Sequence, residues 1–149
     1  MPERKNINNE LLFASIVEIL GEGVTATIRI KGSSMRPFVR NGIDTATLSP
    51  LSGEVRLRKG MVLLFRYEGG YFIHRLRGIA DGMLVMKGDG NYRISERIGH
   101  SAVIAWASSV ERNGREIKYG SLQWHLLSLY SLAVKTLRTM LMDFRPRRR

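Results

Sequence analysis

The chain has 149 residues, enough for one compact domain and too few for two of ordinary size. Its composition, 44% apolar and 25% charged with no cysteine, suits a globular protein and excludes disulfides, thiolate metal sites, iron–sulfur clusters and a catalytic thiol. A net charge of +11 favours anionic surroundings, nucleic acid or an acidic membrane surface, and specifies no chemistry.

Near the start, Arg4 and Lys5 precede an apolar stretch, but Glu10 and Glu18 interrupt it and no small-x-small cleavage site follows. A cleavable signal peptide is therefore not expected, and the expected location is the cytoplasm or the periphery of a membrane. Leu11, Leu12, Ala14, Ile16, Ile19 and Leu20 recur at helical spacing and predict an amphipathic helix packed on the domain. Asn8 or Asn9 is the expected N-cap, and Gly21 or Gly23 the expected stop.

Strand patterns follow. Val24, Ala26, Ile28 and Ile30 alternate with polar residues, the period of a half-buried strand. Thr45–Leu48, Met61–Tyr67, Tyr71–Arg77, Met83–Lys87 and Ala102–Val110 are further candidates, rich in β-branched and aromatic residues. Glu68-Gly69-Gly70, Asp81-Gly82 and Asn113-Gly114 read as tight turns. The expected class is mainly β (α+β), a single antiparallel β domain flanked by an N-terminal helix and a C-terminal amphipathic helix.

That last helix begins near Leu122. Ser121, His125, Ser128, Lys135 and Thr139 line one side, while Leu122, Leu126, Leu129, Val134, Leu137 and Leu141 lie largely on the others. The segment free of charged residues, Tyr119 to Val134, is shorter than the ~20 residues of a spanning helix. Two readings stay open: a core or dimer helix with a disordered basic tail, or a helix lying in a membrane interface, with Trp124, Tyr130 and the terminal arginines as anchors.

Four clusters in the middle of the chain carry candidate chemistry: Gly32-Ser33-Ser34-Met35-Arg36-Pro37, the strand Met61–Phe65, Tyr71-Phe72-Ile73-His74-Arg75, and Lys87-Gly88-Asp89-Gly90-Asn91. A serine hydroxyl needs a base within hydrogen-bond reach to become a nucleophile. Imidazole suits that task because it is neutral near pH 7 yet ready to accept a proton. A carboxylate on its other nitrogen fixes the tautomer, and Asp89 is the best-placed acid. The Ser34 N–H, at a strand-to-turn transition, is a candidate oxyanion donor. The plain alternatives are a turn hydroxyl for Ser34, a strand histidine bonded to backbone for His74, and a loop-ordering turn for Asp89. His100 and His125 read as structural or surface residues. No metal spacing stands out, so neither a metal nor another cofactor is expected.

In this order the four clusters resemble the S24/S26 peptidase superfamily, which includes signal peptidase I and the LexA-like self-cleaving repressors. The resemblance spans residues 28–110. It implies a LexA/signal-peptidase-like β fold over residues 1–119, with residues 120–149 as an appended helix and basic tail. The family's Gly-x-Ser-Met-x-Pro carries the nucleophile role to Ser34, and its His-Arg variant carries the base role to His74. Ser33 and Met35 fall at the oxyanion or substrate groove. The family's acid lies slightly downstream of the Gly-Asp-Asn block; counting from Asp89 lands on Ser95, with Glu96 adjacent, so Glu96 stands beside Asp89 as a candidate. This chain also has Gly32 where some members place an oxyanion serine, Met61 where aspartate is usual, and no expected membrane anchor ahead of Ser34.

The resemblance implies a serine endopeptidase that cleaves a leader or precursor peptide with small residues flanking the bond. The implied partners are a peptide or protein substrate and, through residues 122–149, an anionic membrane surface or a membrane transporter; nucleic acid is disfavoured, because Phe144 is the only aromatic beside the arginine tail. Self-cleavage is disfavoured, since the chain contains no Ala-Gly or Cys-Gly bond. The competing reading is a non-catalytic binding module on the same fold.

Overall fold

The computed structural model describes residues 3–91 and 94–144, with side chains from Glu10 onward. Helix α1 (Glu3–Gly21) leads into β1 (Ala26–Arg29), β2 (Thr45–Pro50), β3 (Val62–Tyr67), β4 (Gly70–Ala80), β5 (Met83–Lys87) and β6 (Glu96–Ile98). A single 3-10 turn, His100–Ala102, then precedes β7 (Val103–Arg112), β8 (Arg115–Lys118) and helix α2 (Leu122–Asp143). The fold is a mainly antiparallel sheet with a helix at each end of the chain, as composition and periodicity predict.

The described strands form one sheet in the order β1-β2-β7-β3-β4-β5-β6, with β8 paired to β7. The three predicted turns set its register. Tyr67 pairs with Gly70, Ala80 with Met83 and Arg112 with Arg115, so each loop is two residues long. Glu68, Asp81 and Asn113 take φ near +50°, each followed by a glycine at positive φ. That is the primed turn whose twist matches its strands.

Strand β4 changes neighbours halfway. Gly70 to Arg75 pair with β3, whereas Arg75 to Ala80 pair with β5. Residues 71–74 therefore have an open edge on the β5 side, and β1 pairs only with β2. Those two open edges face the same cavity.

The sheet buries an apolar cluster on each side. One joins Ile16 and Leu20 of α1, Met35, Phe38 and Val39 of the loop after β1, inward residues of β2, β3 and β7, and Trp124 of α2. The other gathers Met61, Leu63, Phe65, Leu76, Leu84, Met86, Ile98 and Val103. Trp124 meets the rings of Phe38 at 4.9 Å and Tyr119 at 5.4 Å, both edge-on. Ser121 caps α2 by accepting a hydrogen bond from the Trp124 N–H.

Three expectations are corrected. Helix α1 is already helical at Glu3, so neither Asn8 nor Asn9 caps it. Two short strands, β6 and β8, escape the period-2 pattern. Helix α2 joins the core through Trp124 and Leu127, yet against the even apolar face expected of a core helix it also turns Ser131 and Lys135 inward and leaves Leu122, Leu126, Leu129, Leu137 and Leu141 exposed. The basic tail beyond Phe144 lies outside the described residues.

Deleting the Trp124 indole empties a fully buried site between two rings. Trp124→Ala is expected to cost about 3–5 kcal/mol of unfolding free energy in urea denaturation. A loss below ~1 kcal/mol would show that the first turns of α2 do not share the core.

Candidate functional site

Ser34 lies in the loop between β1 and β2, two residues ahead of a cis Arg36-Pro37 bond. This loop is clamped from behind. Arg40 bonds the buried Asp44 carboxylate through its guanidinium at 2.7 Å and its backbone N–H at 2.7 Å. Arg112 donates to the carbonyls of Pro37 at 2.6 Å and Phe38 at 2.9 Å. Burial alone raises the Asp44 pKa, but the Arg40 hydrogen bonds and the charges of Arg40 and Arg112 hold it below the ordinary value. Gly32, at φ +92°, turns the chain into the loop, and its N–H is held by the Asn41 side chain at 2.8 Å.

His74 sits on β4 with its ring packed against Phe65 and Phe72, each 5.8 Å away. Its Nδ1 is 3.0 Å from Glu96 Oε2, and both side chains are almost completely buried. A buried imidazole–carboxylate contact of this length fixes the ring orientation and directs Nε2 the other way. Ser34 and His74 both line one cavity of about 620 Å3. Its walls include β1 with the residues just after it, the open-edged part of β4, Met35, and the Leu12, Phe13 and Ile16 side chains of α1.

Asp89, the expected third member, serves a different residue. It accepts a two-pronged bond from Arg75, Nε to Oδ1 at 2.9 Å and NH2 to Oδ2 at 2.8 Å. Ser131 of α2 adds a third bond at 2.8 Å. Arg75 completes its set on the Gly60 carbonyl at 2.9 Å and Ser128 at 3.2 Å, and its guanidinium lies 4.5 Å from the centre of the Phe38 ring. Adjacent residues of a strand point to opposite faces, so His74 and Arg75 divide between the two sides of β4. Each takes its own carboxylate, and the acid beside the histidine is Glu96.

The loop after β5 links these two halves. The Gly90 N–H donates to the Ser34 carbonyl at 2.7 Å. A Cβ at Gly88 would overlap that same carbonyl and come within 3.1 Å of His74 Cδ2; one at Gly90 would overlap the Ser33 carbonyl. Only glycine lets the loop pass this close to the serine turn. Lys135 reaches in from α2 and donates to the Gly88 carbonyl at 3.3 Å.

Of the other expected site residues, Met35 is buried and lines the cavity, while Ser33 is exposed and outside its wall. The Ser34 hydroxyl makes no hydrogen bond to His74, and the Ser34 N–H donates to no other described residue. His100 and His125 are exposed, and Ser95, where the family count lands, is exposed beside Glu96. Sequence reasoning missed Arg75, Ser131 and Lys135 as parts of the scaffold behind the site. The serine and lysine spacing on α2 was the available signal, since a polar stripe on an otherwise apolar helix needs buried partners.

No known protein-family model matches the chain, and no curated protein is significantly similar to it.

Two outcomes test the scaffold. Asp89→Asn leaves the Arg75 charge buried without its anion, and an unfolding free energy lower by about 3–5 kcal/mol is expected in chemical denaturation. Burial, reinforced by Lys87 and Arg77, lowers the Lys135 pKa to about 8, and Asp89 opposes this only in part. An unfolded lysine titrates at about 10.4, so between about pH 8 and pH 10 the unfolded state binds more protons and stability due to Lys135 rises with pH. The unfolding free energy of the wild type, measured against Lys135→Met, is expected to improve across that window; a flat difference contradicts the buried amine.

Proposed function

We propose that this protein is a serine endopeptidase of the signal-peptidase-like type, with Ser34 as nucleophile, His74 as general base and Glu96 as the group that orients the histidine. The observation that carries this reading is the buried His74–Glu96 contact of 3.0 Å on the wall of the cavity that Ser34 also lines. The order of the four sequence blocks supports a LexA/signal-peptidase-like identity for the sheet.

The chemistry follows from those roles. Ser34 Oγ attacks the carbonyl carbon of the substrate peptide bond while its proton passes to His74 Nε2. The carbonyl π electrons move to oxygen, where the uncommitted Ser34 N–H is a donor for the oxyanion. Collapse of the tetrahedral intermediate breaks the C–N bond, and the imidazolium returns the proton to the leaving amine. Water repeats the sequence on the acyl-serine, giving a free acid and the original hydroxyl. Glu96 stabilises the transient imidazolium and keeps Nδ1 protonated.

The open edges of β1 and of β4 at residues 71–74 suit an extended peptide, whose main chain pairs with a strand edge while alternate side chains enter pockets. The apolar wall from Leu12, Phe13, Ile16 and Met35 favours an apolar side chain near the cleaved bond. A leader or precursor peptide is the substrate class this arrangement suits best. A second reading, a module that binds such a peptide without cutting it, is favoured by one observation: the Ser34 and His74 side chains are not hydrogen-bonded to each other. In enzymes without substrate such contacts are often long and close only in the reacting complex.

Labelling with serine-reactive phosphonate and boronic-acid probes separates the two. Wild type is expected to label, Ser34→Ala and His74→Ala not at all, and Glu96→Gln about 10²–10⁴-fold more slowly. Absence of wild-type labelling with every probe type, in protein that retains its thermal transition, leaves the binding module as the correct reading.

A further inference from the structure

Helix α2 is mounted inside out. Its inward stripe, Trp124, Ser128, Ser131 and Lys135, follows the i, i+4, i+7 spacing of one helix face, yet three of those four residues are polar. They are polar because they serve the Arg75–Asp89 pair and the Gly88 carbonyl. The opposite face, through Leu122, Leu126, Leu129, Leu137 and Met140, is apolar and more than half exposed at every one of these positions. Phe144 continues the same stripe at 84% exposure. No charged residue interrupts it. A contiguous apolar strip on a helix of 22 residues, about 33 Å long, exceeds what scattered surface leucines account for.

Charge identifies the occupant. Asp143 is the sole acidic residue from Leu122 to Arg149, against Arg138, Arg145, Arg147, Arg148 and Arg149, with Lys135 turned inward. A second copy of the chain brings another +11 to the contact, so self-pairing works against the field, whereas an anionic surface is drawn to it. The helix does not cross a bilayer. None of the described helices is long and apolar enough to do so, and the inward stripe ties α2 to the domain from Trp124 to Lys135. A helix with one apolar face, a polar face already engaged and a strongly basic chain behind it suits the boundary between headgroups and acyl chains.

We propose that the outward face of α2 is a docking surface for anionic lipid bilayers, with the leucine stripe in the headgroup–acyl boundary. The surface stands independently of whether Ser34 reacts with peptides.

Co-sedimentation of the full chain with vesicles tests it. The wild type is expected to bind vesicles of phosphatidylglycerol and phosphatidylcholine, and to bind pure phosphatidylcholine vesicles at least tenfold more weakly. The double variant Leu129→Glu/Leu137→Glu, at two exposed positions, is expected to lower the partition coefficient at least tenfold with an unchanged thermal transition. Wild-type protein that stays in the supernatant with phosphatidylglycerol vesicles overturns the proposal. So does binding that the double variant leaves intact, which marks adsorption by charge alone. A dimer seen by sedimentation velocity, dissolved by the same variant in protein that ignores vesicles, shows a second copy as the occupant and also overturns it.

Discussion

The ion pair between Arg75 and Asp89 is the contact on which the arrangement of the site depends. Both side chains are withdrawn from water almost completely. A buried pair of this kind holds only when every remaining donor and acceptor is matched, because desolvation opposes the attraction of the charges. Here the matching groups come from three places: the Gly60 carbonyl ahead of β3, Ser128 and Ser131 on α2, and the ring of Phe38 in the loop that carries Ser34. Satisfying one guanidinium thus joins the sheet, the C-terminal helix and the Ser34 loop. It also fixes the path of residues 88–90, which hold the Ser34 carbonyl.

His74 and Arg75 show how a strand sends two neighbouring residues into separate polar networks. The alternation of β4 sends the guanidinium to the helix-covered face and the imidazole toward Phe65, Phe72 and Glu96. Two carboxylates with similar sequence credentials are sorted by the same geometry. Asp89 follows β5 directly and lies under α2, while Glu96 opens the next strand, where Met86 of β5 is its register partner.

The strand meander was legible because its turns are. Glu68-Gly69, Asp81-Gly82 and Asn113-Gly114 leave little choice of register once their flanks alternate. Strand β6 was not legible: Glu-Arg-Ile is three residues long and places a carboxylate inside, against the usual preference. Strand β8, Arg-Glu-Ile-Lys, carries mostly charge and forms because the Asn113-Gly114 turn returns it along β7. The motif blocks singled out Ser34 and His74, which the fold brings to one cavity, but spacing along the chain does not say which acid faces the imidazole. For α2 the periodicity separated a polar side from an apolar one, placing the exposed His125 with the inward Ser128 and Lys135, and left open what covers the apolar side; it did not say which side the domain takes. That choice was made by the buried charges of Arg75 and Asp89, a tertiary demand with no local signature.

The topology also sets an order of assembly. From Val62 to Ile98 each strand pairs with its predecessor through a short connection, and both His74–Glu96 and Arg75–Asp89 fall within that span. The loop of Ser34 depends on β2, which pairs with β7, joining Thr45 to Glu111 across much of the chain. Closing that long excursion costs more entropy than closing successive hairpins, so contacts of low separation are favoured to form ahead of it. A chain still emerging from the ribosome can hold a finished imidazole–carboxylate pair with no hydroxyl yet set against it. The cavity is completed by the last long-range closure, so the His74–Glu96 pair is in place before Ser34 joins its wall.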